Sequence, residues 1–329
     1  MLTAIIPIDL KRRPKDILNK ATSLAKKAYK ENVKIIFGHN NRGNKYDKIF
    51  LNTLLKIPIV KIKSLEKCSE NINTSLLRNL AFSEVDSEYI ILLDVDIHPD
   101  FQLFKKYLKK ILDNIKPFYI LPCLYLTKFG SKLIIERRIN TLQLKEKFFS
   151  FSRKEFLHLA SPSSITIMRS NDYKLIGGFD TDYNGHGYED FDFLVRLCEL
   201  HKRFDKKTDF LIDKSARSPL FAVGFRKYIG EYCLEVLAEK DLAFHLYHEK
   251  DNNEKYYLAR KSNYLLFYKK HQSSKINIEE KDTTLITHFV SHCMNNNLNI
   301  HDYSILFENK PGHIDRYDTF KRKMRLLLK

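Results

Sequence analysis

Short apolar runs alternate with amphipathic stretches from the start of the chain, and this alternation restricts the fold more than any other feature. LTAIIPI (2–8) is followed by PKDILNKATSLAKKAYK (14–30), where Ile17, Leu18, Ala21, Leu24, Ala25 and Ala28 recur at helical spacing. VKIIF (33–37) and IPIVKI (57–62) read as further strands. NINTSLLRNLAFSEV then places Ile72, Leu76, Leu77, Leu80 and Ala81 on one helical face, and YIILL (89–93) is a buried strand. FQLFKKYLKKILDNI is helical again, FYILP (118–122) extended, SITIM (164–168) a strand and EDFDFLVRLCEL (189–200) a helix. Parallel strands need crossover connections, so this order predicts an α/β fold with a mostly parallel sheet flanked by helices. Residues 123–160 carry mixed signals, and beyond about residue 250 the pattern becomes helical, polar and rich in Lys and Asn. The expected organisation is an α/β domain over 1–250 and a helical extension over 251–329.

Composition narrows the class. With 43% hydrophobic residues in 329, the chain has the apolar content of a folded protein. No apolar run reaches the roughly 18 residues of a membrane span, and MLTAIIPIDLKRR carries its charges after its apolar run, the reverse of a secretion signal. The expected location is cytoplasmic. The five cysteines are scattered without a CxxC pair, which argues against a disulfide framework and a zinc knuckle. A formal charge of +17 favours anionic partners: nucleic acid, an anionic membrane surface or a phosphorylated substrate. No nucleic-acid-binding module accompanies it, so nucleic acid is not expected as a partner. In KRKMRLLLK (321–329) every residue is basic or apolar, a pattern that suits either an acidic lipid surface or a helix packed on its own domain.

Three stretches carry the residue types of chemistry. In IILLDVDIHPD (90–100), strand alternation would point Asp94 and Asp96 the same way at the end of a hydrophobic strand, where open α/β sheets bind ligands. Two carboxylates so close suit Mg²⁺ or Mn²⁺ bridging a diphosphate; His98 reads as a bystander. GGFDTDYNGHGYEDFDF (177–193) combines Gly177, Gly178, Gly185 and Gly187 with acids and aromatics, and ends on Glu189 and Asp190 at a helix start. Those two acids read either as helix-terminal carboxylates favoured by the macrodipole or as a general base beside a mobile loop, and the excess of acids with Phe179, Tyr183, Tyr188 and Phe191 favours the second. In DLAFHLYHEKD (241–251), His245 and His248 add imidazole to a carboxylate set, a mixture suited to Mn²⁺. Arg78 and Asn79, in the helix before the DxD strand, are further candidates, since a guanidinium there reaches a phosphate or uracil.

Taken in order, AIIPI, LLRNLAFSEVDSEYIILLDVDIHPD, SPSSITIMRSNDYKLIGGFDTDYNGHGYEDFDFLVRL and FHLYHEKD resemble the inverting GT-A glycosyltransferases, in particular family 2 and the bacterial capsule-biosynthesis enzymes. The third piece resembles the GGFDE…GxGxED signature of β-1,4-galactosyltransferases and chondroitin-polymerase-like enzymes. Tyr188 and His186 stand where that signature carries a small residue and often a tryptophan. The resemblance implies a Rossmann-like GT-A fold and a metal-dependent transfer of a sugar from a UDP-sugar to a saccharide or lipid-linked saccharide in capsule or lipopolysaccharide synthesis. It implies donor contacts from Pro7, Asp9, Arg78, Asn79, Asp94, Val95, Asp96, Gly177 and Gly178. Asp96 would bind Mn²⁺ or Mg²⁺ directly, Asp94 would hold the ribose or the water shell of the metal, and His248 or His245 would complete the ligand set. Asp190 would be the base and Glu189 would orient the acceptor. A sugar nucleotidyltransferase shares the sheet and acidic site, but a glycine-rich phosphate loop is missing from IPIDLKRRPKD.

Overall fold

A computed structural model describes residues 1–201, 209–214, 216, 218–249, 255–272, 284–308 and 324. Its strands are β1 (Leu2–Ile8), β2 (Lys34–His39), β3 (Val60–Ser64), β4 (Tyr89–Leu92), β5 (Phe118–Ile120), β6 (Cys123–Leu126), β7 (Phe156–Ala160), β8 (Thr166–Arg169) and β9 (Ala243–His245). They form two sheets and the chain groups into two compact units.

The first unit gathers the described parts of Met1–Tyr119, Ser164–Phe204 and Lys250–Gln272. Its sheet runs β3-β2-β1-β4-β8-β5. β3, β2, β1 and β4 are parallel neighbours, and β8 runs antiparallel to β4. This is the α/β class expected, mostly rather than wholly parallel. β1 is buried throughout, as a strand covered on both faces must be. The helix Pro14–Lys30 opens with Pro at its first turn, where the missing N–H costs nothing, and buries Ile17, Ala21, Leu24, Ala25 and Ala28. The helix Thr74–Phe82 starts at Asn73, whose side chain accepts from Leu76 N, and buries Leu77, Ala81 and Arg78. Its close approach to β2 requires Gly38, where a Cβ would stand 1.7 Å from the Leu77 carbonyl oxygen.

The second unit gathers the described parts of Ile120–Ser163, Asp205–Glu249 and Ser273–Lys329. Its sheet is β7-β6-β9, with β6–β7 antiparallel and β6–β9 parallel. Leu124, Leu126, Phe148, Phe156, Leu237, Phe244 and Phe289 belong to its core. The partition differs from a single boundary near residue 250: Lys250–Gln272 joins the first unit, while Ile120–Ser163 and Asp205–Glu249 leave it. The reason is pairing across the sequence, since β6 finds its partners in β7 and in the distant β9.

Candidate active site

In the first unit one buried arginine joins two of the candidate acids. Arg78 is 2% exposed; its Nη1 donates to Asp190 Oδ1 and its Nη2 to Asp94 Oδ1, both at 2.8 Å. The Phe179 ring lies under the guanidinium, 4.7 Å away. Burial works against the Arg78 charge, but Asp190 and Asp94 outweigh it and its pKa is raised. Asp94 Oδ2 also accepts from Ser164 Oγ at 3.3 Å. Arg78 is therefore a bridge between the DxD segment and the acidic helix. Asn79 is engaged within the protein as well. Its Oδ1 accepts from Phe179 N and from the Tyr173 hydroxyl, and its Nδ2 donates to Phe179 O, so it fastens the GGF turn.

Asp94 and Asp96 do not lie on an extended strand. β4 ends at Leu92, and Ile97 N donates to Asp94 O at 3.0 Å, turning the chain so that the carboxylates serve different cations. The Asp96 carboxylate accepts from Arg13 Nη2 at 2.9 Å and from Lys20 Nζ at 2.7 Å. Burial disfavours the Arg13 charge, yet Asp96 raises its pKa on balance. Val95 between the acids is buried. Pro7 lies inside β1, paired with Gly38, and Asp9 just beyond it accepts from Asn40 Nδ2 and from Arg42 Nε and Nη2. Burial, and then Lys27, push His98 down to about 3, so its imidazole is neutral.

The acidic helix Glu189–Leu200 starts at Tyr188, which holds φ 73° and makes no side-chain cap. Glu189, Asp190 and Asp192 occupy its first turn, where the helix dipole favours negative charge. The carboxylate of Asp190 is engaged by Arg78 and Asp192 by Arg196 and His271, so their placement is more than capping. Glu189 is buried, and its Oε2 has no hydrogen-bond partner among the described residues. Burial, followed by the Asp190 charge, pushes its carboxyl up to about 8. Burial also raises Asp190, with Arg78 pulling the other way and Asp94 adding to the rise. Gly177 and Gly178 turn with φ 74° and 69°; a Cβ on Gly178 would stand 2.6 Å from Asn79 Oδ1. Arg196 Nη1 donates to the carbonyls of Ile176 and Gly178, locking that turn to the acidic helix.

A profile of the glycosyltransferase like family 2 matches residues 3–273, a span that contains every acid of this cluster. The chain belongs to this family. A comparison with curated protein sequences found no match. Among solved structures, the chain resembles S. aureus TarS 1-349 in complex with UDP at 14% identity and a TM-score of 0.40, over 60% of this chain and 54% of that one. It thus spans about half the length of that chain. It also resembles the catalytic domain of Drosophila β1,4-galactosyltransferase 7 in complex with xylobiose (15% identity, TM-score 0.32, 61% of each chain). A third is the mannosyltransferase PcManGT from Pyrobaculum calidifontis in complex with GDP-Man and Mn²⁺ (13%, 0.37, 60% and 52%).

In this family 2 member, His245 and His248 belong to the second unit. His245 is buried, with its ring stacked on Tyr125 at 4.1 Å, and the His248 ring lies 5.4 Å from it. Sequence reasoning missed Arg13, Lys20, Arg42 and Ser164. The first three sit in generally basic or polar surroundings that carry no spacing signal. One trace was present, Asp16 and Lys20 at helical i,i+4 spacing, and Lys20 pairs with both Asp16 and Asp96.

Proposed function

We propose that the chain is a metal-dependent inverting glycosyltransferase that moves a sugar from a UDP-sugar to a saccharide acceptor. The observation that carries this reading is Arg78 holding Asp94 and Asp190 at once, which ties the DxD segment to the acidic helix within a family 2 domain. In the proposed reaction Asp190 takes the proton of an acceptor hydroxyl. The acceptor oxygen bonds to the anomeric carbon from the face opposite UDP, and the bond from that carbon to the diphosphate oxygen breaks, its electron pair leaving with UDP. A raised carboxylate pKa suits a base working near neutrality. Glu189, with an unsatisfied buried oxygen, orients the acceptor.

The residue types fit a divalent cation, because carboxylate oxygens are the hard ligands Mg²⁺ and Mn²⁺ take, and a cation at Asp96 would take the place that Arg13 and Lys20 hold on its carboxylate. Asp96 and Asp94 are the proposed oxygen ligands, with His248 or His245 as nitrogen ligand. A bound cation would neutralise charge developing on the departing diphosphate. Asp9 with Asn40 and Arg42, Val95, Pro7, Gly177 and Gly178 line the proposed donor side, where Arg78 and Asn79 act by positioning. The net charge of +17 supports a saccharide acceptor carried at an anionic membrane surface, as capsule or lipopolysaccharide synthesis at the inner membrane face would require. KRKMRLLLK, proposed as the membrane contact, lies outside the described residues except Met324. No described helix is long and apolar enough to cross a membrane.

The deciding experiment incubates the protein with Mn²⁺ and a panel of UDP-sugars and scores release of UDP without acceptor. Slow hydrolysis of one donor is the expected result; no release from any member of the panel would remove the reading.

A further inference from the structure

The helical segment after residue 254 grips the glycine-rich loop along its length. Tyr256 O accepts from His186 N at 2.8 Å, and Asn263 Nδ2 donates to Asn184 O at 3.0 Å. His271 Nε2 lies 2.8 Å from Asp192 Oδ1, and Lys270 bonds Asp180 and Asp182. The Tyr188 ring packs against Tyr264 and Phe267, with centroids at 5.3 and 5.8 Å. At the near end of this clamp, Tyr256 and Tyr257 meet edge to face at 5.1 Å. The Arg12 guanidinium stands 5.0 and 4.8 Å from their centroids, and the His186 ring 5.7 and 5.3 Å. Both tyrosines are half-buried. Burial and the charges of Glu189 and Asp94 suppress ionisation of the Tyr256 phenol, which remains a hydrogen-bond donor beside the acids.

We propose that Tyr256 and Tyr257 form the aromatic wall that sets a saccharide ring against Glu189, whose buried Oε2 lacks a partner within the described chain. Three features converge on a polyhydroxylated ring as the occupant. Rigid aromatic rings with a polar tip present apolar area and a hydroxyl together, a combination suited to a sugar's C–H face and hydroxyl rim. Glu189 offers an oxygen that burial leaves unsatisfied, which a ligand hydroxyl would complete. The His186–Tyr256 backbone bond couples the wall to the loop that delivers Glu189 and Asp190, so binding at the wall and geometry at the acids are set together. The assignment of this ring as the acceptor rests on the transferase reading.

The test uses the full chain with UDP and diamagnetic Mg²⁺, titrated with methyl β-glycosides of glucose, galactose, N-acetylglucosamine and xylose, and followed by saturation transfer from protein to ring protons. At least one glycoside should bind the wild-type chain, and Tyr257→Ala should weaken it about three- to tenfold, the range for loss of one aromatic contact. Tyr257→Phe, which keeps the ring and loses only the hydroxyl, should retain more of the affinity than Tyr257→Ala. Tyr257→Leu fills similar space without an aromatic face and should repeat the loss if alanine unsettles the helix, with UDP affinity by calorimetry unchanged. The proposal is overturned if no glycoside binds the wild-type chain, if the alanine and leucine variants bind as tightly, or if UDP affinity falls in step. Glycoside binding that depends on Tyr257 without UDP release from any donor would leave the wall standing and remove the transferase reading. Donor turnover with no dependence of glycoside binding on Tyr257 would do the reverse.

Discussion

Arg78 holds two carboxylates from a position with almost no solvent, and the consequences of removing it follow from that geometry. Loss of one partner of a wholly buried ion pair costs about 3–5 kcal/mol. Asp94 and Asp190 are about a third exposed and water would recover part of the loss, so Arg78→Met should destabilise by about 2–3 kcal/mol in urea unfolding. Arg78→Lys keeps a charge but not a fork that reaches both acids, and should fall between the two. Glu189 makes a prediction with a definite sign. Its folded pKa of about 8 lies above the ordinary carboxylate value, so between roughly pH 4.3 and 8 the folded chain holds a proton that the unfolded chain has lost. Stability from this residue therefore falls as pH rises through that window. Glu189→Gln should match the wild-type melting temperature near the acid end and exceed it near the alkaline end; parallel melting curves across the range would contradict the assignment. If Asp190 is the base, Asp190→Asn should leave calorimetric UDP binding nearly intact while lowering turnover by roughly 100-fold or more.

The elements that position these residues differ in how readily they were read. The helices Pro14–Lys30 and Glu189–Leu200 have the limits expected from periodicity, because each carries a strong apolar stripe and a clear start. β6 and β7 went unread because short strands with distant partners leave little local signal. The glycine-rich loop shows why composition alone misleads. Its glycines suggest mobility, yet Gly185 is required by close packing: it holds φ 75°, and a Cβ there would stand 2.7 Å from both Tyr256 O and Ala259 Cβ. Gly185→Ala should lower stability by about 1–2 kcal/mol or more, the cost of a left-handed alanine before any clash. It should also speed amide exchange at His186, whose N–H bonds Tyr256 O. Unchanged exchange would mean that the clamp does not hold the loop.

Across the whole molecule, the charge of +17 is the property most open to test by conditions rather than by mutation. Binding to anionic vesicles should fall steeply with salt, since exposed charges are screened within about 10 Å at 0.1 M ionic strength. Deleting residues 321–329 should weaken sedimentation with those vesicles if this basic and apolar tail is the contact. Equal sedimentation of both forms would assign the effect to the rest of the surface. A boundary near 250 follows the change in composition, whereas the fold follows strand pairing and the grip of Tyr256, Asn263 and His271 on the acidic loop and helix.

Local order in the chain determined the α/β class, the principal helices and the identity of the acids, because periodicity and residue type are written in neighbouring positions. Which cation each acid meets was decided only by the tertiary structure. Asp94 and Asp96 are two residues apart, yet a turn after β4 sends one to Arg78 and the other to Arg13 and Lys20. Asp190, 112 residues from Arg78, shares that same guanidinium. Side-chain charge is a property of sequence, but the partner that tunes it is a neighbour in space, brought there by burial of surfaces that the local pattern does not report.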